Sequence, residues 1–568
     1  YIYNVQNEVV EITNPDNTNT KNLYSKNIGY AFSSNVYCDE KGPVKKETID
    51  DFGRITAIST IPILESQNQY NNQYHYEDML ENESYFIEIL MDVPWQEKEK
   101  IQYDSIGRVT QVSNVNGITK YEYDNFNRVT KQINPDLSEK NIEYDDIERT
   151  RTIYDEEGNK TVEKYDAENR VIAQTIFPEE NKPVTQSFQY DQTGNLTAET
   201  DYNGNTTEYY YDVFGRKYNT RDAMDRISGI HYANDLSYAT EFYPDDTIRQ
   251  SSYYDQFGRL SAVTDEFFNV SNYTYDTADN LIESIDKSGN VTKYTYDSRN
   301  NVINIATDDA DKLYVYDEAG KVRAVENRKE NRLGNLEKEN RIQYNYRADG
   351  LVNDETDGRL DGTSRITFNT QYNALGSPKS FTLKKDTGQE IKKTQYARDE
   401  VERITGIGQA AAGVQNKYAG YEYYANGWLK KETLPNGYSN NYTYDGAGRM
   451  TELNRLDTNG VSVLQYRYTY DNNGNRTGIV ETDSDGTETV TAYEYDKLNR
   501  LIKEVNGHSG NTTEYEFDVR NNIIQKTVSG AENYTESYIY TYEHADKYMS
   551  NRITEVTKKS GDTVLGRT

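Results

Sequence analysis

The sequence predicts an all-β protein built as a long antiparallel array of β-hairpins, and three observations carry that prediction. The first is a recurring sentence, seen as Tyr121-Glu122-Tyr123-Asp124-Asn125-Phe126-Asn127-Arg128. Its two tyrosines stand two apart, which places both on one face of a strand. The Asp that follows can bond its side chain to the backbone ahead, and a Gly or Asn three residues on tolerates positive φ, the chemistry of a tight hairpin turn. The sentence returns as Tyr103-Asp104…Gly107-Arg108, Tyr211-Asp212…Gly215-Arg216, Tyr254-Asp255…Gly258-Arg259 and Tyr444-Asp445…Gly448-Arg449. Looser copies read Tyr144-Asp145…Arg149, Tyr165-Asp166…Asn169-Arg170, Tyr275-Asp276…Asn280 and Tyr495-Asp496…Asn499-Arg500.

The second observation is the period. From Tyr103 the motif tyrosines fall at 123, 144 and 165, steps of 20 or 21 residues, and later at 254, 275, 296 and 316. A period so sustained means an array of one supersecondary unit. The third is a second turn in each unit, visible as Asn116-Gly117, Asn203-Gly204-Asn205, Ser288-Gly289-Asn290, Asn436-Gly437 and Ser509-Gly510-Asn511. Both ends of every strand are thus punctuated, and the chain reads as a continuous meander.

Composition explains why such an array folds at all. Mean hydropathy is −0.98, and Leu, Ile, Val and Phe make only about a fifth of the chain, close to the composition of disordered proteins. Against that stand 54 tyrosines and 14 phenylalanines. Tyr combines a large apolar ring with a hydroxyl able to stay wet, which suits a thin wall solvated on both sides. A formal net charge of −31 repels phosphate backbones, so no nucleic-acid partner is expected. No run of about 18 apolar residues exists to span a bilayer as a helix. The single cysteine, Cys38, excludes an internal disulfide. A chain opening on Tyr1 reads as an excised or processed piece, with any export signal outside it.

Taken in order, residues 1–48 show strand-like pieces between Asn/Thr-rich turns, and Asp51-Phe52-Gly53-Arg54 is an isolated copy of the turn. Residues 65–100 differ, and 77–91 reads as a short helix, an irregular strand or an inserted loop. From 101 to about 325 the repeat is regular. Residues 326–343 read as a charged, solvated, extended hairpin, and Gly406 to Gly413 as a small-residue loop. Apolar residues at one and four positions past the Arg, as in Leu260 and Val263 or Met450 and Leu453, imply either two part-buried faces or a bulge. The expected organisation is an irregular N-terminal cap over 1–100, the array over 101–550 and a truncated continuation over 551–568. Some twenty units, each advancing the sheet by roughly 10 Å, cannot stay flat because sheets twist. The expected form is a curved spiral around a wet lumen.

The Tyr-Asp-x-x-Gly-Arg sentence and the longer Gly289-Asn290-Val291-Thr292-Lys293-Tyr294-Thr295-Tyr296-Asp297 resemble the YD-repeat, or Rhs (rearrangement hotspot), family across roughly residues 100–550. That family includes bacterial polymorphic toxins, wall-associated proteins, the B and C components of insecticidal toxin complexes, and teneurins. The resemblance implies one long sheet spiralling into a hollow shell, secreted or displayed on a bacterial surface. Its implied partners are a C-terminal toxin or effector, or a companion shell subunit. Family shells often end in a core rich in Asp-Pro that carries a self-cleavage site. Here the last proline is Pro435 and no Asp-Pro pair occurs, so self-cleavage and cargo are not implied for this chain.

No cofactor, metal or catalytic constellation is expected. The histidines His75, His231, His508 and His544 are scattered without ligand spacing. Asp471-Asn472-Asn473-Gly474-Asn475 and Asp483-Ser484-Asp485-Gly486 mimic calcium-loop openings, but turns are expected there. The Tyr-x-Tyr ladders could serve as glycan-stacking platforms or cell-surface contacts, yet they recur in every unit, whereas a binding site should be local. The motif arginines Arg108, Arg128, Arg216, Arg259 and Arg449 are expected to pair with Asp or to stack on Tyr of the next unit. The function expected is a structural shell that houses or presents an effector. The alternative is an adhesive surface protein, and an enzyme is not expected.

Overall fold

A computed structural model describes residues 2–3, 9–13, 19–25, 33–39, 42–50, 52, 54–60, 96–317, 320–330, 336–347, 350–359, 365–385, 387–411, 414–540 and 553–567. Among these there is no helix; the chain is strands joined by short turns. It divides into two compact units, Tyr1–Lys140 with Lys293–Gly420, and Asn141–Thr292 with Tyr421–Thr568. The expected inserted segment at 77–91 lies outside the described residues.

Within each unit, successive strands pair antiparallel in chain order. In the first unit Gln96–Tyr103 pairs with Val109–Asn114, which pairs with Gly117–Tyr123, and that with Val129–Ile133. In the second, Ile248–Tyr254, Leu260–Asp265, Val270–Tyr275 and Leu281–Ile285 repeat the arrangement. The all-β hairpin array read from the sequence is the fold.

Register resolves the spacing of the apolar residues. Tyr254 faces Leu260 across the turn, Tyr253 faces Ala262 and Ser252 faces Val263, so Ser261 is an extra residue in a bulge. The bulge turns a spacing of three into one shared face, and Leu260 and Val263 lie on the side of Tyr254. Met450 and Leu453 share the face of Tyr444 and Tyr442 in the same way. That face is half-buried and the opposite one is open: along Val270–Tyr275, Tyr273 and Tyr275 are part-covered while Asn272 and Thr274 are exposed. Fully buried apolar residues among those described are few and small, namely Ala57, Ala198, Ala233, Ala324, Val325 and Val528. Little of the stability can therefore come from a deep core, and the turns must supply much of the order.

Two expectations need correction. The 326–343 segment is an extended hairpin, Val322–Glu330 against Leu336–Tyr346, but it is not solvated throughout. Glu326 is buried, and Arg328 donates to it at 2.8 Å. The small residues from Gly406 are not a loop: Ile404–Ala411 is a strand paired on both sides. Glycine at 406 leaves room for the Tyr418 ring, which a Cβ there would displace.

Candidate functional site

The Asp-led turn is a clamp built from one side chain. In the Tyr103 copy, the Asp104 N–H donates to the Arg108 carbonyl at 2.9 Å, and the Gly107 N–H to the Asp104 carbonyl at 3.1 Å. This is a three-residue hairpin loop, with Gly107 at φ 93° closing it. Asp104 Oδ1 accepts from the Ile106 and Arg108 N–H groups at 3.1 and 2.9 Å, while Oδ2 accepts from Arg108 Nε at 2.6 Å. The same bonds recur at Asp124 with Arg128, Asp212 with Arg216, Asp255 with Arg259 and Asp445 with Arg449. The backbone N–H and guanidinium of Arg108 hold the Asp104 carboxyl below its ordinary range. In the turn before Ile55 the clamping side chain is Asp50, which accepts from the Phe52 and Arg54 N–H groups and from Arg54 Nε.

Each clamp is tied to the next one along the same row of turns. Arg108 lies over the Tyr123 ring at 4.7 Å and donates to the Asp124 carbonyl at 3.1 Å. Arg259 lies over Tyr275 at 4.9 Å and reaches the Asp276 carbonyl at 2.9 Å, and Arg449 lies over Tyr470 at 5.1 Å. The arginines thus do both things the sequence suggested, pairing with Asp in their own unit and stacking on Tyr in the next. Where the preceding turn lacks Arg, the contact changes. Trp428 occupies that place before Tyr444, with ring centroids 5.2 Å apart. The turn before Tyr254 runs Ala233 to Tyr238 without Arg, and the Tyr254 ring is correspondingly more exposed.

The tyrosine hydroxyl has a task that composition alone did not show. Tyr103 donates to the Ile55 carbonyl at 2.8 Å, Tyr123 to Val109 at 2.7 Å and Tyr470 to Met450 at 2.6 Å. Each acceptor is the residue directly after the closing Arg of the preceding unit, at the bulge, where the ladder to the next strand has not begun. A strand carbonyl without a ladder partner needs a donor, and Phe could not supply one. The motif hydroxyls at these positions are bonded, not wet. Tyr123→Phe should accordingly cost about 1 kcal/mol while keeping the Arg108 stack, and Tyr123→Leu should cost more. Urea melts of the two variants check the order, and equal losses would mean that the hydroxyl contributes nothing.

The turn glycines separate conformation from crowding. Gly215 and Gly258 stand at φ 77° and 79°, and a Cβ on Gly258 would meet open space. Gly258→Val should cost about 1–2 kcal/mol from φ alone. Gly448, at φ 80°, faces Trp428 2.9 Å from such a Cβ, so Gly448→Val should cost about 2–3 kcal/mol. Val213→Ala, at an exposed tip, should stay within about 0.5 kcal/mol. Thermal unfolding ranks the three, and any other ranking contradicts the turn geometry.

Alternate turns of a meander lie on opposite margins of the sheet: motif turns on one, second turns on the other. Within each unit the two margins meet. In the first, Asn116 Nδ2 donates to Glu402 at 2.6 Å and Arg403 pairs with Asp136 at 3.1 Å. In the second, Asn426 donates to Asp155 at 2.9 Å and the Gly446 N–H to the Pro178 carbonyl at 3.0 Å. Asn203 donates to Asp471 at 3.0 Å while Asn473 donates to Asp201 at 2.7 Å. Arg520 pairs with Glu266 at 2.9 Å, bonds Thr247 at 2.7 Å and lies over Tyr243 at 4.7 Å. In every case a late motif turn sits on an early second turn. This seam was not foreseen from the sequence. The turn 518–522 that enters it carries Arg520 at its tip and Asn522 at its closing place. The segments at Asp471 and Asp483 are turns of the same kind.

The RHS Repeat family profile matches residues 103–138, 190–223, 275–312 and 423–461. These are Rhs repeats. Two solved structures have the fold of this Rhs-repeat chain over nearly its whole length. The TcdB2-TccC3-TEV crystal structure is 13% identical over 96% of the chain with a TM-score of 0.51. The Photorhabdus luminescens Tc holotoxin pore is 13% identical over 93% with a TM-score of 0.54. The Rhs-repeat chain spans 31% and 30% of the length of those chains. No curated protein matches its sequence.

Proposed function

We propose that this Rhs-repeat chain is a structural wall, part of a hollow shell of a secreted or surface-displayed toxin-like assembly, housing or presenting an effector encoded outside it. The single observation that carries the reading is the linkage of clamps, in which Arg108 or Arg259 binds its own turn and the next. Such links order a one-layer sheet that has almost no deep core. A fold shared with Tc toxin structures supports the assignment, and a companion subunit is the partner it suggests. The wall does no chemistry of its own in this reading. The alternative of a glycan-binding surface loses support where a guanidinium already covers the Tyr ring, as Arg108 covers Tyr123 and Arg216 covers Tyr232 at 4.6 Å.

Small-angle scattering tests the reading. A hollow body gives a radius of gyration above the roughly 24 Å that compact scaling gives for this length, with a pair-distance distribution depleted at its centre. A compact value overturns the container role. Ligand capture on a glycan array would favour the adhesive alternative.

A further inference from the structure

The seam of the second unit uses only half of each margin. The late motif turns are covered: Ala425, Ala447 and Leu498 are half-buried, and Arg520 is held by Glu266. Among the described residues the early motif turns show no such cover, and the tips of three of them carry larger apolar side chains. Ile147 is 91% exposed, Val213 93%, Phe214 79% and Phe257 71%. Conversely, the early second turns lie in the seam, whereas the late second turns at 434–437, 457–461 and 506–510 present Pro435, Val461 and His508 to solvent. The unit therefore ends in two unused margins of the two kinds that already fit one another within it.

We propose that these margins join head to tail between copies of the chain, the early motif turns of one copy seating on the late second turns of another. The proposal rests on the Rhs-array reading of the shell and extends the seam beyond one chain. Exposed apolar tips along one margin mark an interaction surface, and the seam within the unit shows what kind of margin they fit. Such a contact is heterologous, so it builds head-to-tail chains or rings of copies rather than a two-fold symmetric dimer. The net charge of −31 opposes association, so screening by salt strengthens it.

Sedimentation velocity on the whole chain tests this. The wild type should pass from monomer to dimer and longer species as concentration rises, and more readily at 0.5 M than at 0.05 M salt (roughly 4 and 14 Å of Debye length). A motif-margin variant (Val213→Asp, Phe214→Asp, Phe257→Asp) and a second-turn variant (Pro435→Glu, Val461→Glu) should each stay monomeric alone. Mixed, they should form a 1:1 dimer and nothing longer, because each retains the margin the other has lost. Dimer formation also shows that both variants are folded, and the milder set Val213→Ser, Phe214→Ser, Phe257→Ser should behave like the Asp set. A wild type that remains monomeric under all these conditions overturns the proposal. So does a mixture that fails to pair while both variants keep the wild-type near-ultraviolet spectrum. Association untouched by either set of substitutions also overturns it. Scattering from the monomeric variants reads the hollow form independently, so loss of this contact and loss of the container role remain distinguishable.

Discussion

Arg520→Met should destabilise the second unit by about 3–5 kcal/mol, the largest loss expected from any single change considered for this chain. Arg520 and Glu266 side chains are 11% and 10% exposed, and their 2.9 Å pair joins a late turn to an early one. Burial pushes the Glu266 carboxyl above its ordinary range even though Arg520 pulls it down. Removing the cation leaves a carboxylate in a place that already disfavours charge. It also strips a donor from Thr247 and the cation from the Tyr243 ring. Glu266 can escape by taking a proton, so the loss should be smaller at pH 5 than at pH 8. Hydrogen exchange should locate the damage in the turns at 243–247, 265–269 and 518–522, because an array unfolds by neighbourhoods. Glu266→Gln with Arg520→Met should recover part of the loss, and a cost that ignores pH and that partner would contradict the account.

What the sequence made legible was everything encoded within one repeat. The turn needs Asp to gather N–H groups and Gly or Asn to close at positive φ, and both needs act over five residues. Gly215 and Gly258 follow from that chemistry, as does Asn127 at φ 66°. The double role of Arg108 was also readable, since a side chain at a turn can reach only its own Asp and the adjacent strand. The bulge after each Arg lay at the limit, because spacing suggested it but only register places Ser261 outside the ladder.

What stayed hidden depends on distant partners. The seam joins residues 254 to 295 positions apart in the second unit, and no local pattern marks Asn203 as the partner of Asp471. Gly406 looked like a loop because small residues usually punctuate, whereas here they make room for Tyr418. Glu326 looked solvated because charge surrounds it in sequence. Burial of the strand is a property of what covers it, and the segment itself does not encode that.

The other large effect expected is that of Asp445→Ala, at about 3–4 kcal/mol. Its side chain is 9% exposed and accepts from the Ala447 and Arg449 N–H groups at 2.9 and 3.0 Å and from Arg449 Nε at 2.6 Å. Alanine leaves two turn N–H groups without acceptors and frees the guanidinium that spans to the Asp471 carbonyl and the Tyr470 ring. The loss should therefore spread to the turn at 471–475, which also forms the seam with Asn203. Asp445→Asn should lose less, because its amide oxygen can still accept from the two N–H groups although the ion pair is gone. Acid should act on other clamps in the same direction. Bonds from Arg54 hold Asp50, and bonds from Arg108 hold Asp104, below the ordinary carboxylate value, and Asn195 and Thr193 do so for Asp191. A carboxyl whose folded value lies below its unfolded one contributes stability that is fully present above the unfolded value, near pH 4. That contribution is lost as pH falls through the folded value. Urea midpoints should accordingly hold steady from pH 7 towards 5 and drop below 4. A chain equally stable at pH 7 and pH 3 would mean that the aspartates do not clamp the turns.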